Sequence, residues 1–198
     1  MTDNKMTLNE YQERVYLKRE YSDNVKIIYP ALGLISKIGK IADRIGCWLN
    51  DDEGVALDID MLLDELGDVL QYVSALVSDL DLTLKECVEH ETIEEFDLGT
   101  KNFEQKIQGP KSVKEHTITL AEDVLHLAID AEKGDFNDRY LKGEILDALH
   151  AMSCFARALD LSLEVVAQRN LAKLFNYVKE NNFQRLLNEG RFTLGTDL

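Results

Sequence analysis

Apolar residues recur at steps of three and four along almost all of this chain, and only Pro30 and Pro110 break the pattern as prolines. An α-helix turns once in 3.6 residues, so that spacing gathers apolar side chains on one helix face, whereas a half-buried strand needs alternation of period two. The expected fold class is therefore all-α. Start signals support it. Thr7 with Glu10, Thr83 with Glu86 and Ser112 with Glu115 have the capping-box spacing, in which a hydroxyl and a carboxylate satisfy each other's orphan backbone N–H groups. They predict helices from Thr7 to about Tyr21, from Thr83 to about Phe96, and from Ser112 to Gly134. Pro30 suits a first helical turn and opens a helix through about Trp48. Further helices are expected over about Asp58–Ser78, Asn137–Ala158, and from Ser162 to about Glu189. Gly33, Gly39 and Gly46 fall within the second helix and are expected to permit close helix packing.

Residues 97–111, ending in Gly109-Pro110, read as a linker. The predicted organisation is an N-terminal helical unit over 1–98, a linker over 99–111 and a C-terminal helical unit over 112–198. The halves repeat: residues 62–84 align without a gap on 141–163, with nine of 23 positions identical. The matches include Glu65 with Glu144, Asp68 with Asp147, and the helix-breaking Leu-Asp-Leu before Thr83 and Ser162. Self-similarity at a fixed offset marks duplicated structural units.

With 37 acidic and 22 basic residues, the net charge is −15. Sequence-blind binding to nucleic acid or to an anionic membrane needs clustered Lys and Arg, so neither partner is expected. No apolar run approaches a bilayer span, and the first ten residues lack the apolar core of a secretory signal. Cys47, Cys87 and Cys154 are scattered among apolar neighbours, as expected of reduced core thiols in a cytoplasmic protein.

Glu65 and Asp68 lie three residues apart, on one helix face, and Glu144 and Asp147 repeat the arrangement. Paired carboxylates beside a core-facing stripe are costly unless a cation or donor neutralises them. Magnesium, a hard ion that prefers oxygen ligands and also holds polyphosphates, is one such cation; a solvated face with ordinary surface contacts is the alternative. Asp123 with His126 and Asp147 with His150 also place carboxylate and imidazole at i, i+3, a spacing related to that of di-iron or di-manganese bundles.

The stretches MTLNEYQ (6–12), YPALGLISKIGKIADRI (29–45), ELGDVLQYV (65–73), EILDALHAM (144–152) and LDLSLEVVAQRNLAKL (159–174) resemble the MazG-like branch of the all-α NTP pyrophosphatases. The resemblance implies a duplicated antiparallel helical bundle, and either a homodimer or an internal pseudo-dimer. It implies magnesium, with manganese as the variant, held by an ExxE on one helix and an ExxD on the next. The implied reaction cleaves a nucleoside triphosphate to the monophosphate and pyrophosphate. In the first unit the ExxE position is occupied by Lys37 and Lys40, which have only donors and cannot ligate a metal while charged. They are expected either to pair with Glu65 and Asp68 or to point at a phosphate. In the second unit it falls on Asp123 and His126. Asp123, Glu144 and Asp147 are the candidate metal ligands, with His126 as a further ligand or general base. Asn170 and Lys173 match the N-x-x-K of the family ending and are candidates near phosphate; Glu91 and Glu94 stand there in the first unit. A composite pocket, with Lys37 and Lys40 facing the acids of the second unit, follows from this swapped charge logic. Trp48, Tyr72 and Phe96 are candidates to stack on a base or to fill core.

Three functions remain open on these residues: a diverged pyrophosphohydrolase with its site in the second unit, a nucleotide or nucleotide-signal sensor or sponge without turnover, and a structural bundle that dimerises.

Overall fold

The fold, seen in a computed structural model that describes residues 6–50, 56–88, 110–133 and 138–175, contains only helical elements in those residues. They are α1 (Leu8–Tyr16), a 3-10 turn (Asp23–Val25), α2 (Ile28–Leu49), α3 (Ile59–Asp79), α4 (Leu84–Val88), α5 (Pro110–Lys133), α6 (Asp138–Ala158) and α7 (Leu163–Phe175). None of the described helices is long and apolar enough to cross a membrane.

Local chemistry sets most of these boundaries. The Thr7 hydroxyl accepts from the Glu10 backbone N–H while Glu10 accepts from the Thr7 N–H, which completes the capping box. Thr83 and Glu86 do the same for α4. The third expected box does not cap: α5 begins at Pro110, so Ser112 lies inside its first turn. Proline fits there because the first-turn N–H groups have no partner within the helix. α1 stops at Tyr16, short of Tyr21. Asp79, its side chain wholly buried, accepts from the Tyr16 and Tyr21 hydroxyls at 2.9 and 2.6 Å and draws that segment onto α3. Asp79 also meets the backbone N–H of Ile27 at 3.4 Å. Ile27 enters α2 at φ 67°, closing a three-residue turn through the Ile28 N–H and the Lys26 carbonyl. That conformation is strained for a β-branched residue.

The Leu-Asp-Leu breaks at the ends of α3 and α6 share one geometry. Asp81 (φ 56°) and Asp160 (φ 60°) are left-handed. In each, the following leucine N–H returns to a carbonyl five residues back, Leu82 to Val77 and Leu161 to Ala156, both at 3.0 Å. Aspartate tolerates this conformation better than most residues with a Cβ. Thr83 and Ser162 then accept from the N–H groups of Glu86 and Val165, each at 3.2 Å.

α2 packs on α3 and on α5, α5 on α6, and α6 on α3, so four long helices close a ring around one core. α2 and α3 run antiparallel, with Gly33 against Tyr72, Lys37 against Asp68 and Arg44 against Met61. The short helices cross over: α7 lies on α3, α4 lies on α6, and α1 bridges α3, α4 and α7. The core therefore draws on both halves, with Leu34, Leu66 and Val73 joining Leu127, Leu149 and Phe155. Burial of such side chains, at about 1.5–3 kcal/mol each, is the main stabilising contribution.

Cys87 is buried and Cys154 half-buried, but Cys47 is exposed and so not a core thiol. Gly33 does permit close packing, since a Cβ there would lie 2.6 Å from the Tyr72 ring. Gly39 and Gly46 do not: a Cβ at either would meet nothing within 4 Å.

Candidate functional site

The crossing of α7 onto α3 brings together residues more than 130 positions apart. Lys37 on α2 donates to Asp68 at 2.6 Å and to Glu65 at 3.0 Å. Lys173 on α7 approaches the other side of Asp68, 2.8 Å from Oδ1 and 3.0 Å from Oδ2. Lys40 and Arg44 each lie 3.8 Å from Glu65 Oε1. Asn170 is buried; its amide N–H group donates to Gln71 at 3.3 Å, and its carbonyl accepts from the Tyr11 hydroxyl at 2.8 Å. Lys37, Lys40, Asn170 and Lys173 thus share one seam, and the acids they surround are Glu65 and Asp68.

The electrostatics follow from that geometry. Burial pulls the Lys37 pKa down, but the hydrogen bonds and charges of Asp68 and Glu65 outweigh it and hold the ammonium well above the ordinary lysine range. Burial, and then the Asp68 charge, push the Tyr11 hydroxyl well up, so Tyr11 stays a neutral donor to Asn170. Four cationic side chains, Lys37, Lys40, Arg44 and Lys173, meet two carboxylates. The side chains of Lys40 and Lys173 are half-exposed, at 51% and 48%. Beside the seam, Tyr72 covers Gly33 and tilts against Tyr29, which stacks on Tyr21 at 4.8 Å. Trp48 and Tyr72 are half-buried against the core, and Phe96 lies outside the described residues.

The composite pocket expected between Lys37, Lys40 and the acids of the second half does not form. Lys37 pairs within its own half, because α3 is its antiparallel neighbour and presents Asp68 and Glu65 directly opposite. Arg44 and Tyr11 were missed as site residues. Arg44 continues the Lys37–Lys40 stripe at the next helical step, a signal readable from spacing; Tyr11 meets Asn170 only through the tertiary fold. Arg169 pairs with Asp60 and Asp64 and fastens α7 along α3.

On α5 and α6 the corresponding face carries the opposite sign. Burial comes first in raising the Asp123 pKa, and Asp147, Glu122 and Glu144 add to it. Glu144 and Asp147 line an open groove of about 420 Å³ with Arg139, Tyr140 and Gly143. Hydrogen bonds to Glu144 and Asp130 hold the Tyr140 hydroxyl protonated, its pKa pushed up to about 12. His126 is exposed, and Glu91 and Glu94 lie outside the described residues.

The implied magnesium does not fit at Glu65 and Asp68, where the Lys37 ammonium already bridges the two carboxylates. The donors of Asp123, Glu144 and Asp147 are chemically suited to a hard divalent ion. Among the described residues, however, no three His, Cys, Asp or Glu side chains are gathered closely enough to hold one.

No protein-family model matches this chain, and no solved structure matches it. The Gene 37 protein of Mycobacterium phage L5 is 40% identical to it over 58 residues, which are 28% of this chain and 51% of that protein. The chain thus spans about half the length of the curated relative it matches.

Proposed function

We propose that the protein binds a nucleotide or a nucleotide-derived small molecule by its phosphates at the α2–α3–α7 seam, as a sensor or sponge that does not cleave it there. In this reading it is a diverged, duplicated MazG-like protein in which ammonium groups stand where the family places a metal. The supporting observation is the surplus of cations: four basic side chains around two carboxylates, in a chain of net charge −15. A phosphate would draw on the half-exposed side chains of Lys40 and Lys173 and leave the Lys37 bridge intact. Tyr29 and Tyr72 offer apolar ring faces for a base. Lysines neutralise phosphate charge, but they lack the Lewis acidity with which a metal activates water, so binding without turnover suits the seam. The equal length of α3 and α6, their common offset of 79 residues and their shared Leu-Asp-Leu geometry support the duplication.

A second reading rests on the like charges around Asp123. Magnesium or manganese would be held there only if Asp123, Glu144 and Asp147 closed together on it, and it would then supply charge neutralisation for hydrolysis of a nucleoside triphosphate by water to monophosphate and pyrophosphate. His126 would take the proton from that water. The two readings separate in a thermal-shift screen of nucleoside triphosphates, cyclic nucleotides and pyrophosphate, in EDTA and in magnesium or manganese, followed by chromatography of the denatured sample. Seam binding predicts stabilisation in EDTA, recovery of the ligand unchanged, and loss of the shift in a Lys40→Ala/Lys173→Ala variant. Metal-dependent pyrophosphate release that Glu144→Gln abolishes would establish the hydrolase instead. No shift with any compound would overturn both.

A further inference from the structure

Residues 17–27, which join α1 to α2, carry no buried side chain. A segment with so little in the core is ordinarily free to open locally, yet this one is tied down along its length. Asp79 of α3, its side chain wholly enclosed, accepts from the Tyr21 hydroxyl at 2.6 Å and lies 3.4 Å from the Ile27 N–H and 3.6 Å from the Arg19 guanidinium. The Tyr21 ring stacks on Tyr29, with centroids 4.8 Å and planes 24° apart. The Lys18 ammonium sits 4.5 Å over the Phe175 ring at the end of α7. The segment then bends sharply at Ile27, with φ 67° and ψ −59°. That three-residue turn is a strained conformation for a β-branched residue, so the ties hold the segment against a conformational cost.

This strap closes one end of the phosphate seam. Tyr72 stands one turn beyond Asp68 on α3 and covers Gly33, which stands one turn before Lys37 on α2. The charges of Lys37 and Asp68 both act on the Tyr72 hydroxyl. Tyr29 tilts against Tyr72 at 6.3 Å, and Tyr21 covers Tyr29. Three rings therefore lead from the lysines of the seam to the strap.

We propose that Tyr21 is a built-in occupant of the base position: the strap holds its ring on Tyr29 where the purine of a nucleotide stacks, and a purine nucleotide, but not a bare phosphate, displaces it and frees residues 20–27. This rests on the seam as the phosphate site. A phenol ring and a purine ask the same of a tyrosine face, a flat π-surface at stacking distance. The purine brings two fused rings against the single ring of Tyr21, so it competes for that face on favourable terms. Tyr29 is an exposed residue, reachable once Tyr21 leaves. Asp79 is not stranded by the exchange, because it keeps the Tyr16 hydroxyl at 2.9 Å and Arg19, which is itself held by Tyr16 at 2.7 Å. Relaxation of the Ile27 turn offsets part of the lost Tyr21 contacts. Binding is thereby converted into a change at the molecular surface, the output that a sensor needs.

The test is calorimetric titration of ATP and of inorganic pyrophosphate into the full chain in EDTA, beside Tyr21→Ala. The variant should bind ATP about three- to tenfold more tightly, because no ring competes for Tyr29, and should bind pyrophosphate as the parent does. Limited trypsin digestion of the parent needs no variant: saturating ATP should speed cleavage after Lys26 several-fold, and saturating pyrophosphate should not. ATP binding that is unchanged or weaker in Tyr21→Ala, or equal tightening of both ligands, overturns the proposal while the seam reading stands. So does cleavage after Lys26 that ATP slows or leaves alone. If pyrophosphate does not bind the parent at all, the seam reading itself fails and this proposal falls with it.

Discussion

Lys37 reaches both carboxylates of α3 with 17% of its side chain exposed, so it neutralises them where solvent screening is weak. Replacing it with methionine leaves Glu65 and Asp68 side by side, partly compensated by Lys40, Arg44 and Lys173. The expected loss is about 2 kcal/mol at neutral pH, below the ~3–5 kcal/mol of a fully buried pair because the site is partly wet. The pH dependence has a definite sign. The folded-state pKa of Lys37 is raised, so its contribution is complete below the ordinary lysine value of about 10.4 and fades as pH rises through the higher folded value. Urea denaturation of the parent and Lys37→Met should therefore give a constant gap from pH 7 to about 10 that narrows only above it. A gap already closing by pH 8 would contradict the pairing. The cysteines make a parallel case: burial pushes the Cys87 thiol up to about 12, whereas Cys47 is exposed. Ellman's reagent at pH 8 should label Cys47 at once and Cys87 only as the protein unfolds. At this scale the sequence was informative about residue type, since two lysines, which have only donors, already argued against a metal there. It was uninformative about which acids the lysines meet, because that depends on α3 lying opposite.

Among the elements, α7 matters most to the seam, and one glycine governs its approach. A Cβ on Gly67 would lie 3.0 Å from the Cβ of Asn170, and neither atom can swing away as a flexible chain end would. Gly67→Ala should push α7 outward, stretching the contacts of Asn170 to Tyr11 and Gln71 and of Lys173 to Asp68. A destabilisation of about 1–3 kcal/mol is expected, with weaker phosphate binding; calorimetry and a thermal shift would measure the two. Unchanged values would mean that α7 does not close on α3. Helix starts and the Leu-Asp-Leu stops were legible in the sequence because caps and left-handed aspartates are local chemistry. The early end of α1 was not, since Asp79, which captures Tyr16 and Tyr21, is about 60 residues away. Nor was the role of Gly67, which depends on the exchange of α4 and α7 between the two halves.

Over the whole molecule, matching faces of the two helical hairpins carry opposite charge. α2 presents Lys37, Lys40 and Arg44 to its acids, whereas α5 presents Asp123 to Glu144 and Asp147. The expected repeat rested on identities at a fixed offset, and the reading of Lys37 and Lys40 as altered metal positions rested on the family resemblance. That the lysines of α2 and α7 converge on one acid pair needed the fold, and it shifts the balance from a metal-dependent hydrolase toward a metal-free phosphate binder. Calorimetric titration of inorganic pyrophosphate into the full chain in EDTA puts this most directly. The prediction is saturable binding that weakens with added salt and falls at least tenfold in Lys40→Ala/Lys173→Ala. Binding that appears only when magnesium is restored, or that the double variant retains in full, would contradict it.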